Sequence, residues 1–416
     1  MNSGVSTFVE VDRLTAAGNL AGAAQTLETL LAAAGPDAGP GMDGAAGVAQ
    51  WLKLAGLRRA LRQPQQALAA VHRALELAPL DFMALVMRAG LLERSGDAGA
   101  GAAWGEALAQ TPQGPLPPPL EAAVSAGRAF HADWLDRQEQ RLEQVAQAAA
   151  GSAGNDAAGS VERLPESPVE READLAWRLA RFRDNILRKT RVYHSEPTHF
   201  HYPGLVEREF HPRHATPWLA EVEAGFEDIR AEMLALVQSE RAELEPYIQY
   251  ADHENLAQWR PLNRSRDWSA IHLLKQGVEV PVNAAQAPRT MEILSRLPQP
   301  RVPGASPNAM FSLLAPHTAI PPHVGVDNTR LVCHLPLAVP PGCWFRVGAE
   351  TREWREGEAF AFDDTIEHEA MNPTDLLRVV FIFDVWHPGL TASERTAVAA
   401  TIAAAGHGAG QGAGGL

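Results

Sequence analysis

Apolar residues follow two different rhythms along this chain, and the change falls near its middle. Over the first ~115 residues Ala and Leu recur at helical spacing. Residues 119–149, "LEAAVSAGRAFHADWLDRQEQRLEQVAQAAA", read as one long helix, and a basic helix ending "RFRDNILRKTR" is predicted around 169–190. Further on, Leu219, Val222, Phe226, Ile229, Met233 and Val237 recur at steps of three and four, which predicts one amphipathic helix packed on something. "RTMEILSRLP", residues 289–298, predicts another. From Met310 to Trp386 the rhythm shortens. "MFSLLAP", "TRLVCHLPLAVP", "CWFRVG", "AFAFDD" and "LRVVFIFDVW" are brief apolar runs broken by Pro and Gly. Runs of this length with turn residues between them predict an antiparallel β-sandwich or barrel, here flanked by helices.

The helical part repeats. Residues 14–37, 57–81 and 91–113 each give a short helix, a tight turn, a second helix and then Pro36, Pro79 or Pro112. The turns are Gly18-Asn19, Arg62-Gln63 and Gly96-Asp97, and the last two lie 34 residues apart, the tetratricopeptide period. A ten-residue insertion offsets the first repeat. Ala67 and Gly101 fall where paired helices must approach closely. Residues 1–115 therefore resemble a short tetratricopeptide array, with a plain helical bundle as the alternative. Such stacks commonly bind peptides or partner proteins. Residues 116–190 read as a helical connector whose Gly/Ser/Pro-containing stretch 151–168 is the best linker, 191–392 as the β-rich domain, and 393–416 as an Ala/Gly-rich tail.

Charge and cysteine content narrow the function classes. Thirty-six basic against fifty acidic residues leave a formal charge of −14, which argues against nucleic acid as the main partner. The Arg-rich helix is then expected to be a solvated face. Cys333 and Cys343 sit in apolar sequence and are expected to be buried, reduced thiols of a cytoplasmic protein. The opening "MNSGVSTFVEVDRL" lacks an apolar core, and no run is long and apolar enough for a transmembrane helix, so neither a signal peptide nor a membrane span is expected.

Five histidines fall in the β-rich stretch: His317, His323, His334, His368 and His387. A histidine in such a region is more often a surface or satisfied core residue than a ligand. His323, after "PP", and His368, after the strand "AFAF", have the better contexts. If both strands line one mouth, two neutral imidazoles converge on a metal, and with oxygen ligands they suit Fe(II). The carboxylate usual two positions after such a histidine is missing, because Gly325 stands there. Asp327 has the wrong spacing and reads as a turn residue. Arg378, in the apolar run "LLRVVFIFDVW", is costly to bury unless paired. Its partner is either an Asp such as Asp363 or Asp384, or the carboxylate of a ligand. Arg330 poses the same question.

The stretch from "FSLLAPHTAIPPHVGVDNTRLVCH" to "FDDTIEHEAMN" and "DVWHP" resembles the aspartyl/asparaginyl β-hydroxylase family, as do "FHYPGL", "PWLAEVEAGFEDIRAEM" and "RDWSAIHLLKQG" upstream. The likeness covers about 191–392. It implies a double-stranded β-helix of jelly-roll, cupin-like type, and hydroxylation that depends on Fe(II), 2-oxoglutarate and O2. By the same resemblance His323 and His368 hold the metal. Arg378 clamps the distal carboxylate of 2-oxoglutarate with help from Ser312. His334 touches the other end of the cosubstrate, Trp268 walls the pocket, and Arg330 helps hold an acidic substrate. Gly325 is the family's own residue, leaving room for water. Val332 departs from the pattern, since the family often has a second basic residue there. It faces the same way as Arg330 along a strand, so the substrate inference is what it puts in doubt. Cys333 points the other way, and Trp386 and His387 are read as structural.

The expected reaction is hydroxylation of an unactivated C–H, on an Asp/Asn-type side chain of a protein or peptide that the N-terminal repeats recruit. The alternatives are the same chemistry on a free amino acid or lipid, or a non-catalytic tetratricopeptide-type adaptor. Retention of both histidines, Ser312 and Arg378 argues against the last.

Overall fold

The computed structural model describes residues 8–33, 45–152, 168–239, 242–250 and 259–405 of the 416. Pro36, most of the predicted linker and the end of the predicted tail lie outside the described residues. The chain divides into two compact units, residues 1–157 and 158–416. The predicted connector is thereby split, its first helix going with one unit and its second with the other.

The first unit is helical: α1 (Phe8–Ala16), α2 (Leu20–Ala33), α3 (Ala45–Ala60), α4 (Pro64–Leu77), α5 (Phe82–Ser95), α6 (Ala100–Ala109) and α7 (Pro118–Ser152). The first six form three helical hairpins. Each turn contains a left-handed residue, Gly18 (φ 76°), Arg62 (φ 58°) and Gly96 (φ 68°), which reverses the chain within two positions. Asp81 caps α5 by accepting from the Ala84 N–H at 2.8 Å. Ala67 is fully buried. Gly101 lets α6 and α7 approach so closely that an added Cβ would meet Trp134 Cγ at 2.0 Å. His131 on α7 donates from Nδ1 to the Gly101 carbonyl at 2.8 Å.

The second unit holds α8 (Pro168–Ile186), α9 (Leu219–Ala224), α10 (Phe226–Gln238), α11 (Pro281–Ala284), α12 (Pro288–Arg296) and α13 (Ala392–Ala405) around eleven strands. These are β1 (Leu244–Pro246), β2 (Trp268–Lys275), β3 (Val278–Glu279), β4 (Ala309–Leu314), β5 (Thr318–His323), β6 (Arg330–Ala338), β7 (Trp344–Val347), β8 (Glu350–Glu353), β9 (Phe360–Phe362), β10 (His368–Asn372) and β11 (Arg378–Trp386). One sheet runs β1-β2-β4-β11-β6-β9 with β3 beside β2, and the other runs β5-β10-β7-β8. Every pairing between these strands is antiparallel. Chain-distant strands lie side by side in both sheets, the crossed order of a double-stranded β-helix of cupin-like type.

Period-two alternation sorts the large sheet's side chains. Leu331, Cys333 and Leu335 of β6, Phe381 and Phe383 of β11, and Phe311 of β4 pack with Leu219, Ile229, Met233 and Ile293 of the helices. The opposite face, including Val332, Val380, Ile382 and Met310, packs with Phe345, Val347 and Ala370 of the small sheet. The polar residues on that inner face include Arg330, His334, Ser312, Arg378 and Asp384, all buried.

Two predicted elements differ. The single helix expected through Leu219 to Val237 is two, broken at Gly225, where an added Cβ would meet Ile293 Cδ1 at 2.3 Å. The apolar spacing continues through the break because both halves face the same sheet. Residues 393–405 of the predicted tail belong to α13, whose Val398 and Ile402 bury against Val302, Trp386 and Leu390. The basic helix α8 also has partners. Its Arg181 bonds Glu350 at 3.0 Å, and its Asp174 and Trp177 hold Arg208.

Candidate active site

His323 ends β5, His368 opens β10, and the two are direct cross-strand partners. Their ring centroids lie 4.0 Å apart. Each ring nitrogen Nδ1 meets a backbone carbonyl two residues upstream, Pro321 O at 2.8 Å for His323 and Ile366 O at 3.0 Å for His368. A carbonyl only accepts, so Nδ1 carries the hydrogen and Nε2 keeps its lone pair, the tautomer a metal needs. Burial, together with the neighbouring His368, holds the His323 pKa well below the imidazole range. Burial likewise takes His368 down to about 4. Both rings are therefore neutral at neutral pH.

The pair opens on a cavity of about 460 Å³, a size suited to a small organic acid plus part of a substrate. Arg378, at the start of β11, projects into it. Its Nη1 donates to the Ser312 carbonyl and hydroxyl at 3.3 and 3.4 Å, and its guanidinium lies 4.7 Å from the Trp354 ring centroid. Nε is buried with no partner. Among the described residues no carboxylate pairs with Arg378. The aspartates considered from sequence are engaged elsewhere, Asp384 with Arg330 and Asn308 and Asp363 with Thr365. Burial without a counter-charge pulls the Arg378 pKa down to about 10. A cation so placed lacks an anion, and an incoming carboxylate supplies one.

Ser312 Oγ accepts from Trp268 Nε1 at 3.2 Å, and Trp268 stacks on Tyr247 with centroids 3.8 Å apart. Trp354 Nε1 donates to His334 Nδ1 at 3.3 Å, which leaves the His334 Nε2–H as a donor. Burial and Arg378 hold His334 neutral. Trp268, Ser312, His323, His334, His368 and Arg378 thus line one cavity. No third His, Cys, Asp or Glu joins the two histidines in a metal-holding group among the described residues. The set fits a metal held by two imidazoles with open positions, beside a chelating acid whose far carboxylate meets Arg378.

Arg330 stands apart from the other predicted site residues. It is buried on the same face of β6 as Val332 and His334, yet it does not line the cavity. Its Nη2 bonds Asp364 at 3.2 Å, its Nε lies 3.8 Å from Asp384, and Nη1 has no partner. Val332 does line the cavity. At Gly325 an added Cβ would meet Asp364 Oδ2 at 2.1 Å, so the Asp364 carboxylate occupies the space a side chain there would take. Asp327 accepts from the Thr329 N–H and hydroxyl at 2.8 and 2.9 Å, a turn. His387 bonds the Val206 carbonyl at 3.4 Å and accepts from the Gly389 N–H at 3.0 Å, both backbone contacts. Cys333 and Cys343 are buried free thiols.

Sequence reasoning missed Asp364, Trp354, Tyr247 and Trp259. Asp364 had a signal, standing four positions before His368. The aromatic residues had none, because their approach depends on how β1, β2 and β8 are folded together.

A two-histidine cavity with an unpaired arginine, inside a cupin-like double-stranded β-helix, defines the class. Within that class, residues 223–388 match the profile of Aspartyl/Asparaginyl beta-hydroxylase, so this domain is similar to that family. It is 41% identical over 137 residues to human aspartate beta-hydroxylase domain-containing protein 2, covering 32% of this chain and 37% of that protein. The Rattus norvegicus counterpart is 34% identical over 208 residues, covering 49% and 58%. Human aspartyl/asparaginyl beta-hydroxylase is 33% identical over 199 residues, covering 45% and 24%. The chain thus spans less than two thirds of these relatives. A solved cupin-superfamily sugar phosphate isomerase from Silicibacter pomeroyi aligns at 11% identity and TM-score 0.22, over 35% of this chain and 71% of that one. No helix among the described residues is long and apolar enough to cross a membrane.

Proposed function

We propose that this protein is an Fe(II)- and 2-oxoglutarate-dependent dioxygenase that hydroxylates an unactivated C–H bond. The reading rests on Arg378, a buried guanidinium without a carboxylate, facing the same cavity as two neutral imidazoles with free Nε2 lone pairs. His323 and His368 hold the metal. Iron, with 2-oxoglutarate and O2, supplies the oxidising chemistry, releasing succinate and CO2. The chain's own residues bind and orient. Arg378 and the Ser312 hydroxyl fix the far carboxylate of 2-oxoglutarate. The His334 Nε2–H donates toward the other end of the cosubstrate, and Trp268 and Trp354 close the walls and exclude water.

The family's name makes protein or peptide Asp and Asn side chains the first substrates to try, with the N-terminal helical repeats as the recruiting surface. Anaerobic titration with Fe(II) and 2-oxoglutarate, wild type against His368→Ala, tests the proposal. Wild type is expected to bind both, and H368A to lose the metal. A wild-type protein that binds neither ends the enzyme reading. Succinate release from 2-oxoglutarate without added substrate supports it independently.

A further inference from the structure

Three buried imidazoles line the cavity, and they carry their hydrogens on different nitrogens. His323 and His368 meet backbone carbonyls at Nδ1, which leaves Nε2 with its lone pair. His334 meets a donor instead. The Trp354 indole N–H, 3.3 Å from His334 Nδ1, can only donate, so the hydrogen of the neutral His334 ring goes to Nε2. Among the described residues the indole is the ring's only hydrogen-bond partner. The same indole lies against Arg378, whose guanidinium carbon is 4.7 Å from the ring centroid. Resting on the assignment of His334 and Arg378 to 2-oxoglutarate, we propose that Trp354 is a positioning residue for both ends of that cosubstrate. Its N–H sets the His334 tautomer, and its ring holds the Arg378 guanidinium.

The fold fixes this indole firmly. Trp354 directly follows β8, the outer strand of the small sheet, and reaches His334 on β6 and Arg378 on β11 of the large sheet. It is buried and stacks on Phe345, with centroids 5.4 Å apart and planes 19° from parallel. A fixed ring plane aims the N–H at one atom. With the opposite tautomer His334 would turn a lone pair toward an incoming carboxylate, and the two would repel. With Nε2–H it offers that carboxylate a donor. The indole face attracts the guanidinium without supplying an anion, so Arg378 stays in place and keeps its charge for the far carboxylate. A phenylalanine at this position keeps a ring beside Arg378 and loses the N–H. The two tasks therefore separate by substitution.

The test uses full-length protein labelled with 15N-histidine. Long-range proton–nitrogen NMR reads the tautomer, with the His334 signal assigned by its loss in His334→Ala. Wild type is expected to carry the hydrogen on Nε2, and Trp354→Phe to show both forms. Anaerobic calorimetry on Fe(II)-loaded protein then reads 2-oxoglutarate affinity. Trp354→Phe is expected to weaken it about tenfold, the usual cost of removing a hydrogen bond that orients a binding imidazole. Trp354→Ala is expected to weaken it further, because Arg378 loses its ring as well. In a His334→Ala background W354F is expected to cost little more, since both changes remove one interaction. A wild-type His334 with its hydrogen on Nδ1 overturns the proposal, as does unchanged affinity in W354F. The same tenfold loss without His334 would reveal a merely structural effect and also overturns it. W354A binding as well as W354F removes the Arg378 half. Failure of wild type to bind 2-oxoglutarate strikes the dioxygenase assignment on which the inference rests, whereas normal wild-type binding with the wrong tautomer strikes the inference alone.

Discussion

At the scale of single residues, the decisive distinction is between two buried arginines. Arg330 and Arg378 both interrupt apolar strands, and from sequence both posed the same pairing question. Arg330 found aspartates, and Arg378 found only hydroxyl, carbonyl and aromatic surface. Replacing Arg378 with Met should therefore separate function from stability. Affinity for 2-oxoglutarate is expected to fall roughly 10- to 100-fold, the worth of a charge-assisted pair. The thermal midpoint is expected to hold or rise, because an unpaired buried charge is removed. Calorimetry and thermal melts on one variant read both, and a falling midpoint would assign Arg378 a structural role. The histidines give a pH signature. An ordinary imidazole titrates near 6.5, whereas burial takes folded His368 to about 4. Between those values the unfolded chain takes a proton that the folded site refuses. The His368 contribution to stability is thus fully present above the ordinary value and lost as pH falls toward 4. For the same reason a metal at His368 meets no competing proton in that window. Its Kd is expected to stay flat from neutral pH down to about 5 and to weaken only below. A Kd that already climbs from pH 7 would mean that the imidazoles are solvated.

At the scale of elements, register does the work. Pairing of β5 with β10 places His323 opposite His368, and alternation along β6 and β11 sends His334 and Arg378 inward while Cys333 and Phe381 face the helices. That alternation was readable in "TRLVCHLPLAVP" and "LRVVFIFDVW", which is why the opposed directions of Cys333 and His334 could be stated from sequence. The break between α9 and α10 was not readable, since the apolar spacing runs through it. Gly225 is required there by Ile293 from α12, a contact made by a residue far along the chain. Gly225→Val is expected to cost about 1–3 kcal/mol by overpacking, measured by denaturant unfolding. A neutral result would show that α9 and α12 can move apart freely.

At the scale of the whole molecule, every residue assigned to the cavity lies between Thr198 and Ile382, inside the unit spanning residues 158–416. A fragment of that unit is expected to bind Fe(II) and 2-oxoglutarate as tightly as the full chain, checked by the same anaerobic titration. Loss of binding would mean that the helical repeats complete the site. The sequence by itself indicated the two architectures, the helix-turn repeats and the strands, which follow from local periodicity and turn residues. The grouping of His323, His368, Arg378, Ser312, His334 and Trp268 came from motifs that resemble a known family and keep their spacing along the chain. Only the tertiary structure decided what Arg330 does, what fills the space at Gly325, and which aromatic rings wall the cavity. Each depends on residues brought together from distant strands, Asp364 and Asp384 on Arg330, Asp364 on Gly325, Tyr247 and Trp259 on the histidines. Charge pairing and steric fit are settled by distance in space, and local patterning along a chain does not carry that distance.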